Sequence, residues 1–93
     1  MINTQPGEWQ VYIILCSDNS LYTGITTDIT RRFSQHRTGN GAKYFRGRIP
    51  QRLVFLEGGH NRSSASRREA AIKKLPRDRK CQLIGSRHVS LIL

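Results

Sequence analysis

Acidic side chains are scarce in this chain. Its 93 residues hold six Asp and Glu against 16 Lys and Arg, a formal net charge of +10. Basic side chains are absent from residues 1–30, where three acids stand (Glu8, Asp18 and Asp28). A polyanion, nucleic acid first, is therefore the expected partner of the remaining two thirds; the alternatives are charge that only keeps the chain soluble and an anionic membrane surface, for which no long basic amphipathic helix is evident. Long apolar runs are also absent. The longest near the start is Val11–Cys16, far short of the ~20 residues of a membrane helix, and no cationic segment precedes it. Neither a membrane span nor a signal peptide is expected, and the location reads as cytoplasmic. Cysteine is down to two, Cys16 and Cys81. With three histidines they form no zinc spacing, and reduced, buried thiols are the expectation. There is no repeat, no low-complexity linker, no phosphate-cradling glycine loop and no Ser/His/Asp set. At this length the chain is read as one domain with a modest core, residues 8–84, and a tail of unknown role, 85–93.

What is present is a pattern of short elements. "WQVYIILC" is rich in β-branched and aromatic residues and near-continuously apolar, which predicts a central strand covered on both faces. "SDNS" is a turn, so "LYTGIT" follows as an antiparallel partner. Asp28 caps a helix to about Arg37, closed by "TGNG". Arg52–Glu57 is a third strand and "GGHNRSS" a loop. "ASRREAAIKKL" is a helix stopped by Pro76, and "RDRKCQLI" a short third helix ending at Gly85. The predicted fold is α/β (α+β): a small, mainly antiparallel three-stranded sheet flanked by helices, in the order β-β-α-β-α-α.

Several residues sit where chemistry could use them. Ile29 and Phe33 mark the inward side of the first helix, yet Arg32 and His36 lie on that same side. A charge beside a core stripe needs a partner or a cleft. An arginine can fork onto phosphate oxygens and a histidine can move a proton; equally, Arg32 could pair with an acid and His36 could answer the helix dipole. Tyr12 and Tyr22 flank one tight turn and could meet across the strands, as a working pair or as simple cross-strand packing. Gly24 would weaken a strand interior unless a ligand or another backbone comes close. Glu69 follows Ser66 by three and fits a capping box; if the helix starts earlier, it becomes an inward-facing acid suited to a divalent cation. The stretch "AKYFRGR" sets Lys43, Arg46 and Arg48 around Tyr44 and Phe45, a phosphate-and-base pattern or a solvated loop with two anchors.

In order and spacing, Tyr12, Tyr22-Thr23-Gly24, Arg32, His36 and a later-helix Glu69 resemble the GIY-YIG nuclease domain, over roughly residues 8–83. Gln10 and Val11 stand in place of the first motif's Gly-Ile, and no late asparagine matches that of many active members. The resemblance implies phosphodiester hydrolysis with one Mg²⁺ (or Mn²⁺) held by Glu69. It further implies Tyr12 as candidate base, favoured as phenolate beside the metal cation and Arg32, with Tyr22 and His36 positioning water. DNA ahead of RNA is the expected partner, contacted by Gly24, Arg31, Lys43, Arg46, Arg48 and Arg68, in repair or recombination. Two other readings compete: a nucleic-acid-binding module with a weak or inactive site, and an adaptor whose basic face docks a repair-complex protein.

Overall fold

The computed structural model describes residues 8–39, 45 and 47–87. Strand β1 spans Trp9–Cys16 and β2 spans Leu21–Thr26. Helix α1 follows at Ile29–Arg37, then strand β3 at Pro50–His60, helix α2 at Arg62–Lys73 and helix α3 at Arg77–Arg87. The sheet order is β2-β1-β3, both pairings antiparallel. The continuous apolarity of β1 thus has the predicted cause, since the strand is central and both its faces are covered.

Alternation along β1 divides the core into two layers. Tyr12, Ile14 and Cys16 face α1 and pack with Ile29, Phe33, Phe45 and Leu53. Val11 and Ile13 face the other way, against Phe55, Ala65 and Ile72, with Leu83 and Ile84 of α3 closing that side. The β1–β2 turn is tight because Asn19 takes a positive φ of 67°, which asparagine tolerates better than most residues. Asp28 caps α1, its side chain accepting from Arg31 N–H.

Several boundaries differ from the sequence reading, among them the start of β3, at Pro50 rather than the expected Arg52. Strand β3 runs past Glu57 to His60, through two glycines expected to be loop. Gly59 has φ 78°, and the register jumps from Val11↔Glu57 to Trp9↔His60. The glycines form a bulge that lets pairing resume. Helix α2 begins at Arg62 under an Asn61–Ser64 capping box, so Ser66 is interior and does not cap Glu69. Helix α3 continues through Gly85, because a glycine without a positive φ costs a helix only about 1 kcal/mol and need not end it. Cys16 is buried and its thiol is pushed up by burial, as expected; Cys81 is exposed, against expectation, and both are free.

Candidate active site

The question posed by Arg32 and His36 is answered at one hydroxyl. His36 is buried and its Nε2 lies 2.9 Å from the Tyr12 hydroxyl. Rings close round the imidazole: Phe45 at 4.3 Å between centroids, Tyr22 at 5.2 Å edge-on and Tyr12 at 6.1 Å. Arg32, half-buried on the same helix face, holds Gln35 Oε1 at 3.0 Å and lies against the Tyr12 hydroxyl. The helix therefore carries a polar pair on its inward side because Tyr12 of the central strand meets it there.

The two tyrosines are diagonal neighbours. Register sets Tyr12 opposite Gly24 and Tyr22 opposite Ile14, with the rings 6.2 Å apart. This gives Gly24 a different duty from the substrate contact expected of it. A Cβ at position 24 would stand 2.5 Å from the Tyr12 hydroxyl oxygen and 2.7 Å from the ring carbon that bears it. The missing side chain is filled by tyrosine.

Electrostatics alter the expected role of Tyr12. Burial, helped by Tyr22 and by the charge of Glu69, pushes the hydroxyl well above the ordinary tyrosine value; Arg32 pulls down and is outweighed. The chain by itself keeps Tyr12 a phenol, so the expected phenolate base is not its resting form. His36 is lowered from 6.5 to about 4, by burial first and by Arg32 second, and is neutral near pH 7. Its Nδ1 is buried with no partner among the described residues.

A stability consequence follows. The unfolded chain protonates this imidazole at about 6.5 and the folded chain only near 4. Between those values the unfolded state binds the extra proton, so stability is complete above 6.5 and drains as pH falls toward 4. The loss is about 3 kcal/mol at most. Denaturant midpoints measured from pH 6.5 down to 4 should fall, and His36→Gln should flatten that slope; an unchanged slope in the variant contradicts the assignment.

Glu69 does not fold back on Ser66. It sits inside α2, which packs on β2 and β1, and its carboxylate is 3.0 Å from Lys73 Nζ while its charge acts on Tyr12. No cluster of three metal-ligating side chains exists among the described residues. Of the expected nucleic-acid contacts, Lys43 and Arg46 lie outside the described residues, as does Tyr44. Phe45 is a buried anchor. Arg48 is paired to Asp18 at 2.7 Å, and Ser20 and Arg48 hold that carboxyl down to about 2. Arg68 is paired to Glu57 at 3.0 Å. Burial works to raise Glu57, but hydrogen bonds from His60 and Arg68 outweigh it and hold the carboxyl low. Arg31 is exposed and makes no ion pair with a described residue.

Besides Arg31, several basic side chains that the sequence reading does not single out are left without acids. Arg62, Lys74, Arg77, Arg79 and Lys80 make no ion pair with a described residue. Their signal was visible as a run of positive charge from 62 to 80, but spacing alone does not say which members are neutralised. Trp9 was read only as strand. It lines, with Thr26, Arg31, Arg32 and Gln35, a groove of about 270 Å³.

No helix among the described residues is long and apolar enough to cross a membrane. A family model described as the GIY-YIG catalytic domain matches residues 8–82. A UPF0213 protein of Cronobacter sakazakii is 52% identical over 78 residues, covering 84% of this chain and 82% of its own. One from Haloquadratum walsbyi is 55% identical over 73 residues, 78% of this chain and 82% of the relative. Among solved structures, the solution structure of a UPF0213 protein from Bacillus halodurans is 46% identical with a TM-score of 0.55, covering 84% of this chain and 83% of that one. A second solution structure, a protein from E. faecalis, is 35% identical with a TM-score of 0.60 over the whole of both chains. The chain therefore belongs to the GIY-YIG family, a family of nuclease domains whose substrates are nucleic acids.

Proposed function

We propose that the chain is a metal-dependent endonuclease that hydrolyses phosphodiester bonds, with DNA as its substrate, in repair or recombination. One observation carries this reading: His36 and Arg32 converge on the Tyr12 hydroxyl within the field of Glu69. That is a neutral proton acceptor, a fixed cation and a carboxylate around one hydroxyl.

The donor set suits a magnesium-like ion. Glu69 is a single, partly exposed carboxylate, 23% accessible, tied among the described residues by an i,i+4 pair to Lys73. One carboxylate completed by water and substrate phosphate is how Mg²⁺ (or Mn²⁺) is commonly held, whereas zinc asks for three or four protein ligands. When bound, such an ion supplies charge stabilisation at the scissile phosphate.

The chain's own groups divide the remaining work. Arg32, always charged, takes a non-bridging phosphate oxygen and steadies charge as it develops there. The Tyr12 oxygen accepts from the attacking water. As the water's oxygen bonds to phosphorus and its proton arrives at Tyr12, the phenol proton passes to His36 Nε2, in the tautomer that leaves that nitrogen free to accept; the P–O bond to the leaving sugar oxygen breaks, and that oxygen takes a proton from solvent water. The relay leaves Tyr12 neutral and His36 as the imidazolium, whereas at rest the burial that raises Tyr12 and lowers His36 keeps both neutral. Tyr22, edge-on to His36 at 5.2 Å, fixes the ring's orientation. Wild-type protein with Mg²⁺ or Mn²⁺ should cut DNA, and chelation should stop it; a preparation that cuts neither DNA nor RNA with either ion overturns the reading.

Binding itself should be steeply salt-dependent. If four to six of the unpaired bases meet phosphates, the slope of log K against log salt is about −3 to −4 on single strands. Anisotropy titrations of a labelled oligonucleotide between ~50 and ~200 mM salt check this; a flat response contradicts phosphate contact by these residues.

A further inference from the structure

The groove lined by Trp9 opens beside the reaction centre, because Arg32 belongs to both. The chain's single tryptophan, Trp9, is one of its lining residues. Trp9 is half-buried and also packs against the core on the α2 side. The Arg62 guanidinium stands 5.8 Å from the ring centroid, a cation–π distance. Across the groove is α1, with exposed Arg31 and partly exposed Gln35.

An aromatic wall between cations is the chemistry of base stacking with phosphate contact. It also selects among nucleic acids. A base inside a duplex has both faces covered by its neighbours and offers proteins only its edges and phosphates. Only an unpaired base can lay a π-face on an indole.

We propose that this groove is a stacking subsite for an unpaired nucleotide next to the scissile phosphate, so that the substrate class is single-stranded or frayed nucleic acid. Trp9 takes the base. Arg62 backs the indole, and Arg31 takes a phosphate of the strand that leads to Arg32. The inference rests on the nuclease reading for its placement, though the subsite can be tested as a binding site.

Trp9 is its own reporter, since no other tryptophan emits. In Glu69→Gln protein, which holds substrate uncut, oligothymidylate should quench Trp9 emission saturably, and a blunt duplex of equal length should not. Trp9→Leu should weaken oligothymidylate binding about tenfold and Trp9→Phe by no more than about threefold, with duplex binding unmoved in both. Arg31→Ala, at an exposed position, should weaken single-strand binding without shifting the melting temperature. Equal quenching by duplex overturns the proposal. So does Trp9→Leu binding oligothymidylate as wild type does. If Trp9→Leu fails to fold, the quenching contrast and Arg31→Ala decide. Cleavage by wild type with Trp9 indifferent sinks the subsite and leaves the nuclease. Selective quenching without any cleavage supports the subsite and sinks the nuclease.

Discussion

Glu69→Gln is expected to lower metal-dependent cleavage by about 10³-fold while nucleic-acid binding stays within a few-fold of wild type. The substitution keeps shape and removes a hard anionic oxygen. Its structural cost is small, because the ion pair lost among the described residues is the one to Lys73, which is 53% exposed, and pairs of that kind contribute about 0.3–0.5 kcal/mol. Melting temperature should therefore barely move. That separation is the diagnostic: activity collapses, while fold and binding persist. Lys73→Gln gives a second arm. Freeing the carboxylate from its cation should lower the metal concentration needed for half-maximal activity, since Lys73 and the ion compete for one oxygen. Glu69→Gln cutting as well as wild type would mean that another group holds the metal.

Gly24→Ala is expected to cost about 1–3 kcal/mol and roughly 10 °C in melting temperature, for one added methyl group. In an ordinary strand the same change is stabilising by several tenths of a kcal/mol, because alanine has less backbone freedom to lose. Gly24 has no positive φ, so the backbone raises no objection. Sterics decide the sign. The new carbon would meet the Tyr12 oxygen at 2.5 Å and ring carbons at 2.7 and 3.1 Å. The ring cannot swing away cheaply: it is 1% exposed and its hydroxyl is held at His36. Activity should fall with stability, since any relaxation moves the hydroxyl from His36. Tyr12→Leu removes the obstacle, so its combination with Gly24→Ala should cost less than the sum of the two singles. Additive costs by thermal denaturation would show that the clash is relieved elsewhere.

Much of this arrangement is legible in sequence, for identifiable reasons. The bounds of β1, β2 and α1 follow from strong local signals: continuous β-branched residues, a turn with Asn19 in its special conformation, and Asp28 as a cap. The inward placement of Arg32 and His36 follows from helical spacing alone. The bulge at Gly58-Gly59 does not, because paired glycines read as loop until a partner strand is known. The start of helix α2 is ambiguous in the sequence because Ser66-x-x-Glu69 fits a capping box as well as Asn61-x-x-Ser64 does, and the structure takes the earlier start. The charge states were beyond reach too. That Arg48 and Arg68 are neutralised depends on Asp18 and Glu57, 30 and 11 positions distant. That Tyr12 rests protonated depends on how deeply the sheet buries it.

The site is also unevenly distributed along the chain. Tyr12, Tyr22, Arg32 and His36 come from β1, β2 and α1, one unbroken stretch closed by a tight hairpin. Glu69 arrives on α2, after β3 has paired back onto β1 across some of the longest loops in the fold. Short-range contacts close early and cheaply, while long-range ones wait on loop entropy. The hydroxyl, the guanidinium and the imidazole are thus delivered as a local unit, and the carboxylate is the last piece to dock. A transient release of α2 would leave that unit assembled and part it from Glu69. In the nuclease proposed above, cutting would then depend on the whole fold and would be the first property lost when the far end loosens.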